Sequence, residues 1–217
     1  MLRFCFGPSG AGKSTLLYRE VIEESARFPG TEYWIIVPDQ FTMQAQRDVL
    51  RLHPRHAISN IDVLSFSRLR HKIFDEVGDP GVPVLDDMGK TLVLRHVAEK
   101  IRGELGVLGG KLALPGYIDQ VKSILSEFMQ YRVSPEDLDL LIGACGLKGQ
   151  LAARLKDLQR VYRAFLEEMA GRYATTEQTM DLLAQAIGRS ARMKGAVVVF
   201  DGFTGFTPIQ YHVLSSI

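Results

Sequence analysis

Residues 7–14 read GPSGAGKS and fit the pattern G-x-x-x-x-G-K-[ST]. An apolar run at residues 2–6 precedes this segment and predicts a strand, and the helical spacing of apolar residues after Lys13 predicts a helix. Between a strand and a helix, such glycines let successive backbone N–H groups converge on phosphate oxygens, and the helix adds the positive end of its dipole. The segment therefore predicts a P-loop that binds a nucleoside triphosphate.

The P-loop pattern assigns a role to each of its residues. We expect Lys13 to reach the β and γ phosphates of ATP and the Ser14 hydroxyl to bind Mg²⁺, whereas Thr15 packs or caps the same turn. The alternative is a glycine-rich turn that fits the pattern by chance. The predicted nucleotide-binding residues are Gly7, Pro8, Ser9, Gly10, Ala11, Gly12, Lys13, Ser14 and Thr15.

A second candidate for the same site is Asp201, which follows the apolar run VVVF. An aspartate at the end of a buried strand is typical of the Walker B element, so Asp201 is the predicted Mg²⁺ partner of Ser14. The alternative is an aspartate that caps the strand end and the next turn. Active ATPases commonly have a glutamate directly after this aspartate to orient the attacking water, but this chain has Gly202 there. Loss of such a general base lowers the rate of hydrolysis by roughly 10²–10⁴-fold.

The remaining pattern predicts an α/β fold. Apolar runs at residues 33–37, 61–64 and 196–200 predict strands that alternate with helices, which favours a parallel sheet, and the last run is typical of a central strand buried on both faces. Ser65 is the predicted N-cap of a helix. Helical periodicity without strands fills residues 86–192. We predict a discontinuous P-loop domain at residues 1–85 and 193–217, truncated at its C-terminus, and an inserted helical subdomain at residues 86–192.

Composition limits the function classes. The chain has 26 Lys and Arg against 25 Asp and Glu, so no global field marks it as a polyanion binder, and any nucleic-acid contact must be local. Its two cysteines, Cys5 in the first predicted strand and Cys145 in a glycine-rich loop, suit a reducing compartment. No apolar stretch has membrane-spanning length. The expected location is the cytoplasm, without a membrane partner.

Three further segments resemble one family. The stretch DGFTGFTPIQ from Asp201, the stretch VPDQFT that ends at Thr42 and the stretch VLSFSRL that ends at Leu69 are similar to segments of the AddB-type subunit of the AddAB ATP-dependent helicase–nuclease. With the P-loop, four motifs stand in the family's order and span nearly the whole chain. Asp39 departs from the glutamate that is usual in the second stretch.

The resemblance implies a P-loop NTPase-like sheet, similar to domain 1A of superfamily 1 helicases, in the N-terminal part of a longer protein. It implies an AddA-type partner, DNA as a ligand and a role in double-strand-break end processing and recombinational repair. An iron–sulfur cluster would belong only to the C-terminal part. Because an active motor reads roughly D-E-x-Q-D where this chain reads DGFTG from Asp201, the resemblance implies ATP binding with weak or absent hydrolysis, and a chain that is not catalytic alone.

By the same resemblance, two loops at the carboxyl edge of the sheet are candidates for DNA contact. Hydroxyl groups and backbone amides there can hold phosphates, and an aromatic ring can stack on a base. The alternative for Phe41 and Phe66 is packing between helix and sheet. The candidate residues are Gln40, Phe41, Thr42, Ser65, Phe66, Ser67 and Arg68.

Two other functions stay open. In an active DNA-dependent motor, Asp39 or Asp62 would orient the attacking water in place of the missing glutamate. In a P-loop kinase for a small molecule, the helical subdomain would form a lid, although no compact arginine-rich lid motif stands out. The five histidines show no metal-ligand spacing with cysteine or carboxylate partners.

Overall fold

A computed structural model of the chain describes residues 2–79, 81–112, 114, 116–144 and 149–217, so Cys145 lies outside the described residues. None of the helices in these ranges is long and apolar enough to cross a membrane. The helices and strands, in chain order, are α1 (Lys13–Arg27), β1 (Tyr33–Ile36), α2 (Thr42–Leu52), β2 (Ile61–Leu64), α3 (Phe66–Val77), α4 (Asp87–Lys100), α5 (Tyr117–Gln130), α6 (Pro135–Ala144), α7 (Gln150–Met169), α8 (Thr176–Ile187), α9 (Ala191–Gly195), β3 (Val197–Phe200) and α10 (Pro208–Leu214).

The chain divides into two compact units. The first unit comprises Met1–Gly78, Gln185–Phe206 and Ser216–Ile217, and the second comprises Asp79–Ala184 and Thr207–Ser215. All three strands belong to the first unit. The boundaries of the α/β domain and of the inserted helical subdomain stay predictions.

The first unit contains a parallel sheet with the strand order β2, β1, β3. Tyr33 of β1 pairs with Ile61 of β2 and with Val197 of β3, and every residue of β1 is buried. The predicted α/β class with a parallel sheet is confirmed. Because all three strands are parallel, their carboxyl ends meet at one edge, where Asp201 and the two loops of candidate DNA contacts follow the strands.

Helices cover both faces of this sheet. Alternate residues of β1, Tyr33 and Ile35, pack into one core with residues of α1 and α2. Successive strand residues point to opposite faces, so Trp34 faces the other side, where the Lys72 ammonium of α3 lies 4.9 Å from the centroid of its ring. The helix α1, which begins at the predicted P-loop, is thus fixed by one apolar face to the sheet.

One predicted strand did not form, and another formed but not at the predicted central position. Residues 2–6 form no strand in the described part of the chain; Leu2 and Phe6 are 80% and 88% exposed, and Arg3 pairs with Glu20 of α1 instead. The run after residue 196 forms the predicted strand β3, but among the described residues β3 pairs only with β1 and lies at an edge of the sheet, with Val197 41% exposed. An apolar run becomes a sheet strand only where a neighbouring strand pairs with its backbone N–H and C=O groups. The sequence of the run does not show whether such a neighbour exists.

The second unit is built around α4, α5 and α7, whose apolar faces share one core. The buried Lys90 ammonium donates to both carboxylate oxygens of Glu177 at 3.0 and 2.9 Å. The buried Asp157 carboxylate accepts the backbone N–H groups of Gly106, Val107 and Leu108 and so fixes the loop after α4. These charges are paired because an unpaired buried charge is strongly destabilising.

Candidate nucleotide-binding site

The loop at residues 7–14 ends in an uncapped helix N-terminus. Gly12 is the N-cap residue of α1 and has a φ of 79°, and Gly10 has a φ of 76°, which are backbone conformations that favour glycine. No side chain among the described residues caps α1, and its first turn contains no acidic residue. The first N–H groups of a helix have no partner inside it, so this end is suited to an anion.

Lys13 folds back over the same loop. Its ammonium donates to the carbonyl oxygens of Gly7 at 2.9 Å and Pro8 at 2.8 Å. Both acceptors are neutral carbonyl oxygens, whereas a phosphate oxygen carries negative charge and adds Coulomb attraction to the hydrogen bond. An anionic oxygen bound at the loop would therefore compete well for this ammonium.

Ser14 and Asp201 meet at the carboxyl edge of the sheet. The Ser14 hydroxyl donates to Oδ1 of Asp201 at 3.0 Å, and the Tyr18 hydroxyl donates to Oδ2 at 2.8 Å. The backbone N–H of Asp201 donates to the carbonyl of Ile36 at 3.0 Å, which continues the β1–β3 pairing. Burial raises the pKa of Tyr18, and its bond to Asp201 raises it further, so the phenol stays protonated and acts as a donor at neutral pH.

The residue after Asp201 has an unusual backbone conformation. Gly202 has a φ of 76°, and a Cβ atom built there would lie 3.5 Å from Cδ of Pro38 and 3.7 Å from Cδ2 of Phe41. The space is sufficient, but this φ is unfavourable for residues other than glycine, and least so for Asn and Asp. The position where active ATPases commonly place a water-orienting glutamate is therefore a glycine position for a backbone reason.

The first loop of candidate DNA contacts follows β1. Gln40 and Phe41 belong to a 3₁₀ turn at Asp39–Phe41 and are exposed, and the Thr42 hydroxyl donates to the Asp39 carbonyl at 2.9 Å. Because Phe41 lies beside Gly202, this loop is adjacent to the turn that follows Asp201.

The second loop follows β2. Ser65 is confirmed as the N-cap of α3, since its hydroxyl accepts the backbone N–H of Arg68. Arg68 is exposed and Ser67 is half-buried. Phe66 is 6% exposed and contacts three other phenylalanine rings at centroid distances of 5.7 to 6.5 Å. These three rings belong to Phe200, Phe203 and Phe206.

The two carboxylates considered as substitutes for the glutamate differ in their surroundings. Asp62 accepts a hydrogen bond from the Lys72 ammonium at 2.5 Å, and it lies in the first half of β2, away from the carboxyl edge. Asp39 is exposed and follows β1 at the carboxyl edge. Of the two, only Asp39 stands at the edge where Asp201 lies.

Sequence reasoning missed two features of the first unit. Tyr18 was not singled out, although Ser14 and Tyr18 are four residues apart and so share one helix face, which is a readable signal. The other is a charge network at the amino edge of the sheet, where Glu32 bonds Arg192, Trp34 and Lys72. The Arg192 guanidinium, more than the other two partners, lowers the pKa of Glu32 to about 2.

The fold and the site define a class of α/β protein in which a glycine-rich loop opens a helix and a Ser–Asp pair lies at the carboxyl edge of a parallel sheet. Within that class, residues 4–217 match the family model described as "ADDB, N-terminal", and the chain belongs to this family.

Relatives named as the B subunit of an ATP-dependent helicase/deoxyribonuclease align over nearly the whole chain. The one from Lachnoclostridium phytofermentans is 39% identical over 214 residues, which is 99% of this chain. Those from Moorella thermoacetica and Acetivibrio thermocellus are 36% and 30% identical, each over 100% of this chain. In all three cases the chain spans only 19% of the length of the relative.

Proposed function

We propose that the chain is the ATP-binding, helicase-like N-terminal part of an AddB-type subunit of an ATP-dependent helicase–nuclease. The observation that carries this proposal is the hydrogen bond between Ser14 and Asp201, which joins the start of α1 to the end of β3 directly beside the glycine-rich loop. A hydroxyl and a carboxylate in contact at a helix N-terminus are the oxygen donors that Mg²⁺ prefers.

The residues present fit Mg²⁺-ATP. Backbone N–H groups of the glycine-rich loop and the positive end of α1 would hold the phosphates. Lys13 would exchange its two carbonyl acceptors for phosphate oxygens, and Ser14 would bind the cation with Asp201 behind it. The bound cation would neutralise phosphate charge. The protein's own contribution is to bind and orient the triphosphate.

Hydrolysis in this proposal is weak or absent. The positive φ of Gly202 leaves no favourable place for a water-orienting side chain after Asp201. Asp39 is the remaining candidate for that task, and it would be needed if the chain belonged to an active DNA-dependent motor.

The partners in this proposal are DNA and an AddA-type subunit, and the setting is double-strand-break end processing in the cytoplasm. The relatives' name describes one subunit of an ATP-dependent helicase and deoxyribonuclease. For DNA contact we propose the exposed side chains of Gln40, Phe41 and Arg68, with Thr42 and Ser67 beside them. An iron–sulfur cluster is proposed only for the remaining part of the longer protein.

The experiment is a titration of labelled ATP with Mg²⁺ into the chain, into Lys13→Ala and into the control Lys194→Ala. Lys194 is exposed and lies in α9, at the amino side of β3. Because a hydrogen bond to a charged group contributes about 1.5–3 kcal/mol, we expect Lys13→Ala to bind ATP roughly 10- to 100-fold more weakly and the control to bind normally. Phosphate release is followed on the same samples, with and without single-stranded DNA.

The outcomes separate the alternatives. Binding that depends on Lys13, without turnover, supports the proposal. Turnover stimulated by DNA would favour the active motor, and its loss in Asp39→Asn would assign the water-orienting role to Asp39. Absence of ATP binding by the unmodified chain would refute the nucleotide-binding proposal for this chain.

A further inference from the structure

The Tyr18 side chain is anchored at two ends. Its ring is part of the core between α1 and the sheet, together with Val21 and Ile22, and the residue is 4% exposed. Its hydroxyl is the second protein donor to the Asp201 carboxylate, at 2.8 Å. The P-loop pattern assigns no role to this position.

We propose that Tyr18 is a positioning residue that holds the Asp201 carboxylate in the orientation required for the Mg²⁺ that accompanies the nucleotide. This inference rests on the proposed function. Tyr18 contacts neither the nucleotide nor the cation in this proposal, and it acts only through Asp201.

Each oxygen of the Asp201 carboxylate accepts one hydrogen bond. Ser14 donates to Oδ1 and Tyr18 donates to Oδ2, so rotation of the carboxylate about its Cβ–Cγ bond would break one or both hydrogen bonds. With its proton directed at Oδ1, the Ser14 oxygen keeps its lone pairs for a cation. Tyr18 thus fixes the carboxylate plane, and the carboxylate in turn fixes the Ser14 hydroxyl.

The two hydroxyl groups are also carried by the same helix. Ser14 and Tyr18 are four residues apart on α1, and residues at this spacing lie one above the other on the same helix face. If α1 shifts when phosphates bind at its N-terminus, both donors shift together and carry Asp201 with them.

Partners of metal ligands have a measurable influence: removing one typically weakens metal binding 10- to 100-fold. Tyr18→Phe keeps the buried ring and removes only the hydroxyl. A suitable control is Tyr162→Phe, because Tyr162 is 3% exposed and its hydroxyl donates to the Val133 carbonyl at 3.1 Å within the second unit. Each variant loses one hydroxyl from a buried tyrosine, but only one loses a bond to Asp201.

The test compares ATP affinity in Mg²⁺ with ATP affinity in EDTA for the chain, for Tyr18→Phe and for Tyr162→Phe. The expected result is that Tyr18→Phe binds ATP about tenfold more weakly in Mg²⁺ and unchanged in EDTA. Tyr162→Phe should leave both affinities unchanged. A double variant of Tyr18→Phe and Asp201→Asn should bind Mg²⁺-ATP as Asp201→Asn alone does, because Tyr18 acts through that carboxylate.

Each contrary result has a distinct meaning. If Tyr18→Phe weakens binding equally in Mg²⁺ and in EDTA, or not at all, the inference is overturned while the proposed function stands. The inference is also overturned if ATP binding depends on Lys13 but not on Mg²⁺. It is overturned as well if Tyr18→Phe loses its native circular dichroism spectrum, because the Tyr18 hydroxyl would then serve the fold. If the unmodified chain binds no ATP in either condition, the proposed function and the inference fail together.

Discussion

The turn after Asp201 offers a comparison of two glycines in one short segment. Gly202 has a φ of 76°, whereas Gly205 has an ordinary φ and open space around its Cα. A non-glycine residue in the left-handed region costs about 1–2 kcal/mol. Gly202→Ala should therefore destabilise the first unit by about 1–2 kcal/mol, while Gly205→Ala should change its stability by less than about 0.5 kcal/mol.

Urea unfolding followed by tryptophan fluorescence measures this difference. Trp34 is the only tryptophan in the sequence and is fully buried in β1, so its emission reports on the first unit. With an m-value of about 2 kcal/mol per molar urea, Gly202→Ala should lower the midpoint by about 0.5–1 M. Equal midpoints for the two variants would refute the backbone argument.

A carboxylate placed at residue 202 tests whether the backbone of this turn also limits hydrolysis. Gly202→Glu supplies the carboxylate that active ATPases place here, but the unfavourable backbone does not hold it in a fixed position. We expect phosphate release no faster than that of the unmodified chain. An increase in the range of roughly 10²–10⁴-fold would show that only the missing carboxylate, and not the backbone of this turn, prevents hydrolysis.

Two further predictions concern charged groups of the first unit. Because the pKa of Glu32 is lowered to about 2 from an ordinary value of 4.5, its ion pairs contribute stability above about pH 4.5, and this contribution is lost as the pH falls towards 2. Because the Glu32 carboxylate is one-third exposed, solvent screening reduces its contribution to the free energy of unfolding to about 1 kcal/mol. Urea unfolding followed by circular dichroism should show this pH dependence in the unmodified chain but not in Glu32→Gln. For DNA, Arg68→Ala should weaken single-strand binding and lower the salt slope by about 1, measured by fluorescence anisotropy. Arg51 lies in the last turn of α2, away from the candidate loop that precedes this helix, so Arg51→Ala should leave the DNA affinity and the salt slope unchanged. An equal effect of the two variants would assign Arg68 to nonspecific attraction.

Local signals in the sequence were sufficient for much of the first unit. The runs at Tyr33–Ile36 and Ile61–Leu64 form strands, and Ser65 caps the following helix. Each of these features depends on a few neighbouring residues: an apolar run between breakers, or a hydroxyl that reaches the next turn. Such information is contained in the segment itself.

Pairing between distant segments was harder to predict. Residues 2–6 have the same apolar character as β1, yet they lie beside α1, and the run that forms β3 is an edge strand. The burial of a strand depends on which elements pack on either side of it, and the arrangement of those elements depends on the whole fold.

The candidate site divides in the same way. The sequence by itself determined the glycine-rich loop, its lysine and serine, and the aspartate after an apolar run, because each follows from residue types at fixed spacing. Only the tertiary structure decided that Ser14 and Tyr18 hold the two oxygens of Asp201, and that Gly202 lies against Pro38 and Phe41. The physical reason is that these contacts join residues far apart in the chain, and the parallel sheet brings them to one edge only after the fold is complete.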